Sequence, residues 1–210
     1  HWSRPPKIPL MASPAAAADP ANSQTRGSLL VIFLTVFIDL LGFGMVLPLL
    51  PIYASDFGLK EHGWQIGALM ASFSLMQFLF APLWGRLSDR IGRRPVLIVG
   101  LLGSVVFYAL FGVASIQKSL LLLFVARIGA GIAGATISTA QAYIADTTTP
   151  QTRAKGMALI GAAFGLGFTF GPLLAAAAIL TSGANVSHSP WPGFVASGLS
   201  AVALLLAIFR

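Results

Sequence analysis

The sequence predicts an all-α membrane protein with six transmembrane helices. Long apolar runs, scarce charge and the sorting of that charge all point the same way. Of 210 residues, 56% are hydrophobic and 9% charged, and the mean hydropathy is +0.84. A soluble domain carries about 25% charged residues, so this chain has too few to cover a water-facing surface. Crossing a hydrocarbon core of about 30 Å takes about 20 helical residues. Six segments reach or approach that length, and lysine and arginine fall in alternate links between them.

Residues 1–28 are rich in Pro, Ala and Ser and lack apolar periodicity, which predicts a disordered tail. The chain begins with His1 and its first methionine is Met11, so residues 1–10 are expected to precede the true start. Residues 29–210 form the predicted bundle. Its spans are Leu29–Tyr53, Trp64–Trp84, Pro95–Ala114, Ser119–Ile144, Met157–Leu180 and Gly193–Phe209. Span 1 is too long for a signal-peptide core and carries an internal Asp.

Charge sets the expected orientation. Arg4, Lys7 and Arg26 precede span 1, and Arg86, Arg90, Arg93 and Arg94 lie between spans 2 and 3. Arg153 and Lys155 lie between spans 4 and 5, and Arg210 follows span 6. The other links hold only Lys60 and Lys118. The positive-inside rule then places both ends and the arginine-rich link in the cytoplasm. Trp64 and Trp191 fall at the outer interface, where aromatic rings are favoured. The net charge of +7 does not predict a nucleic-acid partner, because the basic residues sit in links rather than on an amphipathic face.

Two charges sit inside spans. Asp39 is about ten residues, or about 15 Å, from the cytoplasmic end of span 1. Arg127 is about eight residues, or about 12 Å, from the outer end of span 4. A carboxylate at the bilayer centre costs about 2.5–3.5 kcal/mol, so such residues face a cavity or a partner. A buried charge needs a partner, and Asp39 and Arg127 are expected to interact. Gln77 and Gln141 join them as cavity residues or as hydrogen bonds between helices. Glycines at Gly129, Gly131 and Gly134 in span 4, and at Gly161, Gly165, Gly167 and Gly171 in span 5, fit close helix packing and a moving hinge equally well. Pro172 predicts a kink. His188 is expected to be solvated in an outer link. The chain has no cysteine, metal-ligand cluster, phosphate loop or nucleophile–base set, so no metal, cofactor or enzymatic activity is expected.

"GRLSDRIGRRP" resembles the loop 2–3 signature of the major facilitator superfamily at Gly85, Leu87, Asp89, Arg90, Gly92, Arg93 and Arg94. "ARIGAGIAGA" is similar to the family's span 4 signature around Arg127 and Gly131. "GLGFTFGP" is similar to the span 5 antiporter signature at Gly167, Gly171 and Pro172, although Ala175 and Ala176 stand where glycines are usual. "FIDLLGFGMVLPLLP" and "AYIADTTTPQTRAKG" resemble the tetracycline-efflux-like branch of the twelve-span drug–proton antiporters.

The resemblance covers 29–209 and implies one half of a major facilitator fold, a 3+3 inverted repeat. A second, C-terminal six-helix half would then be missing from this chain. The implied function is proton-coupled export of small organic molecules by alternating access across the plasma (bacterial inner) membrane. Lipid, substrate and protons are the implied partners. Asp39 would exchange protons, with Arg127 as a nearby cation. Asp89 and the loop arginines would latch the cytoplasmic side, with Asp146 and Arg153 as partners. A facilitator or proton symporter for sugars or other metabolites is the alternative. A non-transporting scaffold has no need of a midplane Asp and Arg, and a channel is disfavoured because no ring-forming filter segment is visible.

Overall fold

A computed structural model describes residues 20–56, 64–183 and 189–209. The described chain is helical: α1 (Pro20–Val46), a 3-10 turn (Leu47–Leu49), α2 (Leu50–Asp56), α3 (Trp64–Ile91), α4 (Arg93–Gln117), α5 (Leu120–Gly134), α6 (Ile137–Thr147), α7 (Pro150–Ser182) and α8 (Trp191–Phe209). These make six membrane-length apolar spans, as the sequence predicts. Span 1 is Ile32–Tyr53 and span 4 is Leu120–Thr147, while α3, α4, α7 and α8 are spans 2, 3, 5 and 6. Residues 1–19, Lys60 and His188 lie outside the described residues.

The boundaries move in informative places. α1 starts at Pro20, inside the stretch expected to be a tail. Once a span has nucleated, adding turns is cheap. The arginine-rich link is hardly a loop. Leucine and arginine are good helix formers, and α3 continues through Gly85–Ile91 before a one-residue break at Gly92. Gly92 has φ 98°, a left-handed value that disfavours any side chain. α4 begins at the next residue, so Gly92 alone reverses the chain. Spans 1 and 4 are each broken. Pro48 and Pro51 remove two helical N–H groups, and the chain passes through a 3-10 turn there. In span 4 the break falls at Ala135–Thr136.

The packing reveals the repeat. Span 1 packs on spans 5 and 6, span 3 on spans 4 and 6, and span 2 on span 4. Exchanging 1 with 4, 2 with 5 and 3 with 6 leaves this set of contacts unchanged. Because each repeat has an odd number of spans, the two repeats run in opposite directions through the membrane, the inverted 3+3 arrangement. The 1–5 and 4–2 seams use the same device. A Cβ on Gly171 would lie 2.6 Å from the backbone of Gly44, and one on Gly131 would lie 2.4 Å from the Phe73 carbonyl oxygen. Helices approach this closely only where side chains are absent.

Candidate functional site

Four spans line a partly open cavity of about 230 Å³. Leu40 and Phe43 of α1, Phe73, Ser74 and Gln77 of α3, Gly134 and Ile137 of span 4, and Phe164 and Phe168 of α7 line it. Its wall is aromatic: the Phe43 ring stacks on Phe73 with centroids 4.4 Å apart and meets Phe168 edge-on at 5.5 Å. Small-molecule sites have this character, an apolar body with few polar handles.

Arg127 is buried to 1% exposure beside this wall. Among the described residues its three guanidinium nitrogens find no hydrogen-bond partner. Instead the group stands over the rings of Phe73 and Phe43, 4.5 Å and 5.4 Å from their centroids. The expected pairing with Asp39 is therefore not what the structure contains, since no ion pair joins them among the described residues. The ring quadrupoles of two phenylalanines stabilise the cation in place of a carboxylate. Asp39 faces the bundle interior, and among the described residues its buried Oδ1 has no hydrogen-bond partner. Tyr108 of α4 interacts electrostatically with both Asp39 and Arg127, and its hydroxyl donates to the Asp39 carbonyl at 3.5 Å.

Gln77 lines the cavity and also has a structural partner. The break at Ala135–Thr136 diverts the Thr136 N–H to the Ala133 carbonyl, which frees the Ile132 carbonyl from helical bonding. Buried backbone carbonyls in a membrane must find donors. Trp84 Nε1 donates to Ile132 O at 2.7 Å, and Gln77 Nε2 donates to Gly134 O at 3.1 Å. Ser138 Oγ donates to Ala135 O at 2.9 Å. Span 2 thus holds the broken span 4 by side-chain bonds. Sequence reasoning missed Trp84, although a tryptophan inside a bundle usually needs an acceptor for its N–H. Trp84→Phe leaves the Ile132 carbonyl without that donor and is expected to cost about 1–3 kcal/mol. Thermal unfolding in detergent checks this, and an unchanged melting temperature would show that the bond carries no weight. Gln141 is exposed on α6, away from the cavity lining.

The arginine-rich end is bonded selectively. Arg93 meets Asp89 at 2.5 Å and Asp146 of α6 at 3.0 Å, and it donates to Ser88 Oγ at 2.6 Å. Arg94 donates to the carbonyls of Ala207 and Ile208, capping the end of α8. Arg153 does not reach the α3–α4 junction and donates to Ala145 O at 3.1 Å. Gly85 accepts from Ser88 Oγ, while Arg86 and Arg90 project from the exposed face of α3. Since Asp89 and Asp146 are 61% and 58% exposed, these ion pairs are expected to contribute about 0.2–1 kcal/mol each. Asp146→Asn should barely move the unfolding midpoint, as a denaturant titration would show. On α7, Gly167 and Gly171 form the surface on which α1 lies, and Pro172 faces outward.

A six-span bundle with an inverted repeat, broken first spans and an aromatic cavity is the architecture of half a secondary transporter. Residues 32–210 match the Major Facilitator Superfamily, and the chain belongs to that family. It is 42% identical over 191 residues to the class C tetracycline resistance protein of Escherichia coli, covering 89% of this chain and 45% of that protein. It is 38% identical over 189 residues to the class B protein of Escherichia coli, covering 90% of this chain and 44% of the relative. The crystal structure of the human organic anion transporter MFSD10 (TETRAN) superposes with a TM-score of 0.70 at 32% identity, covering 88% of this chain and 47% of the other. The chain thus spans about half the length of the relatives it matches.

Proposed function

We propose that this chain is the N-terminal half of a proton-coupled exporter of small organic molecules, with tetracycline-like drugs the first class to test. The observation that carries the reading is the aromatic cavity between spans 1, 2, 4 and 5, set beside a membrane-embedded Asp39 and Arg127. Flat, largely apolar solutes suit stacked phenylalanine walls, with Gln77 and Ser74 as polar handles. Asp39 serves as the group that takes up and releases the coupling proton. Similarity to two tetracycline resistance proteins supports the drug class. The chain would lie in the bacterial inner membrane with its arginine-rich end in the cytoplasm. Asp89, Arg90, Arg93, Arg94 and Asp146 would latch that end against a second six-helix half, and Gly85 and Gly92 would shape the junction. Gly167, Gly171 and Pro172 would shape the seam along which spans 1 and 5 move.

The test uses the whole reading frame that contains this chain, expressed in inside-out vesicles with an acidified lumen. Tetracycline is added while a pH-sensitive dye reports the lumen. Drug-driven proton release in wild type, absent in Asp39→Asn at equal abundance, is the expected result. No release for any of a panel of drugs would sink the export reading. A second reading has its own observation. Among the described residues Arg127 is a buried cation with no anionic partner, which suits an organic anion as cargo, and MFSD10 is described as an organic anion transporter. Uptake of anions that persists in Asp39→Asn and fails in Arg127→Met would favour it.

A further inference from the structure

Tyr108 of α4 stands where the helices of the two buried charges converge. Its ring lies against α1: a Cβ on Gly42 would come within 2.9 Å of Tyr108 Cε2. One turn back along α1 is Asp39, whose main-chain carbonyl accepts from the Tyr108 hydroxyl at 3.5 Å. The residue after Gly42 is Phe43, whose ring lies under the Arg127 guanidinium. The preceding residue of α4, Phe107, meets the helix of Arg127 directly, because a Cβ on Gly129 of α5 would run into its ring. Gly129 is two residues beyond Arg127. Successive helical residues point about 100° apart, so α4 turns Phe107 toward α5 and Tyr108 toward α1.

Tyr108 is buried to 3% exposure and reaches both charges, which do not reach each other. Among the described residues no ion pair joins Asp39 to Arg127. The electrostatic contacts run from each of them to Tyr108 instead. The other titratable groups on the packed helices belong to the ends of the bundle. Arg86, Asp89 and Arg90 of α3, Arg93 and Arg94 of α4, Tyr143 and Asp146 of α6, and Arg153 and Lys155 of α7 lie toward the arginine-rich end. Tyr53 of α2 stacks on Phe111 and donates to the Ser189 carbonyl at the opposite end, and α8 carries no titratable residue. The Tyr108 bond is long for an O–H···O contact, whose oxygens usually lie about 2.7–2.8 Å apart. The Asp39 carbonyl also belongs to the helical ladder of α1. The hydroxyl is therefore loosely held and can turn about its C–O bond.

We infer that Tyr108 is a positioning residue through which the state of Arg127, beside the cavity, is felt at Asp39. A phenol oxygen both donates and accepts. With Arg127 bare, its charge draws the oxygen lone pairs toward it and turns the O–H toward α1. An anionic or strongly polar cargo group at Arg127 cancels that pull, the hydroxyl turns, and the donor beside Asp39 is lost. Hydrogen bonding around a carboxyl group changes how readily it holds a proton. Cargo at one charge thus alters proton release at the other without the two touching. By linkage, protonation of Asp39 changes affinity at Arg127 by the same factor. The inference rests on the proton-coupled reading for the use made of this link, whereas the link itself is a property of the bundle.

The test is a double-mutant cycle on the whole protein that contains this chain, purified in lipid nanodiscs. Infrared spectra follow the carboxylic-acid stretch of Asp39, identified by its loss in Asp39→Asn, as pH is varied. Arg127→Met should move the midpoint by about one pH unit. With Tyr108→Phe added, the same substitution should leave the midpoint in place. Tyr108→Phe keeps the ring against Gly42 and removes only the hydroxyl, so its melting temperature should match wild type. In vesicles it should lower maximal drug-driven proton release about tenfold with KM unchanged, a split that lost packing does not produce. If that variant does not fold, fluorotyrosine at the same position keeps ring and hydroxyl as a stronger donor and should enlarge the Arg127→Met shift. An equal Arg127→Met shift with and without the hydroxyl overturns the inference, and so does no shift in either. A hydroxyl-dependent shift without drug-driven proton release removes the export reading and leaves the link standing. Drug-driven proton release with equal shifts does the reverse.

Discussion

Replacing Arg127 by methionine is expected to leave the stability of the bundle within about 1 kcal/mol of wild type while abolishing transport. The magnitudes decide the first half. An arginine at the centre of a membrane helix costs about 2.5–3.5 kcal/mol. Two desolvated cation–π contacts offset about 2 kcal/mol each at best, and Arg127 has both, with Phe43 and Phe73. Among the described residues its guanidinium makes no hydrogen bond that the substitution would break. Methionine fills a similar volume and is at home against aromatic rings. A residue retained for stability behaves differently, because removing one partner of a buried ion pair costs about 3–5 kcal/mol. Melting curves of both proteins, beside transport in vesicles, separate the cases. A large drop in melting temperature would make Arg127 a structural residue and remove it from the site.

Gly171→Leu is expected to prevent the bundle from assembling. A first added carbon would lie 2.6–2.9 Å from the backbone of Gly44 and Met45. Nothing there is a flexible side-chain end, so span 1 itself must move. Overpacking by one or two methylenes costs about 1–3 kcal/mol, and leucine adds four carbons at a seam that cannot yield. Gly165 supplies the control. It is on the same helix with nothing within 4 Å of its Cβ position, so Gly165→Leu should yield a monodisperse protein. Size-exclusion chromatography of the two variants reads the difference, and equal profiles would mean that spans 1 and 5 are less tightly joined than the structure shows.

The break in span 4 shows why part of the site was illegible in the sequence. "GAGIAGATIST" contains no proline, and its apolar run predicts one continuous helix. The break depends on Trp84 and Gln77, about fifty residues earlier, whose side chains supply the donors that the interrupted helix lacks. Asp39 and Arg127 show the same limit. Each was recognisable alone, because a charge inside an apolar run is costly. That they do not pair follows from which helix each one faces.

By itself the sequence determined the number of spans, their lengths and the sorting of positive charge, because membrane thickness and desolvation act on each segment separately. Its motifs also placed the chain in its family. Only the tertiary structure decided which faces meet, that the loop 2–3 signature is two helices hinged at Gly92, and that Arg127 rests on phenylalanine rings rather than on Asp39. The reason is physical. Burial in lipid is a property of a single helix, whereas a hydrogen bond, a ring contact or a glycine seam needs a second helix in a particular register, and nothing in one segment specifies that register.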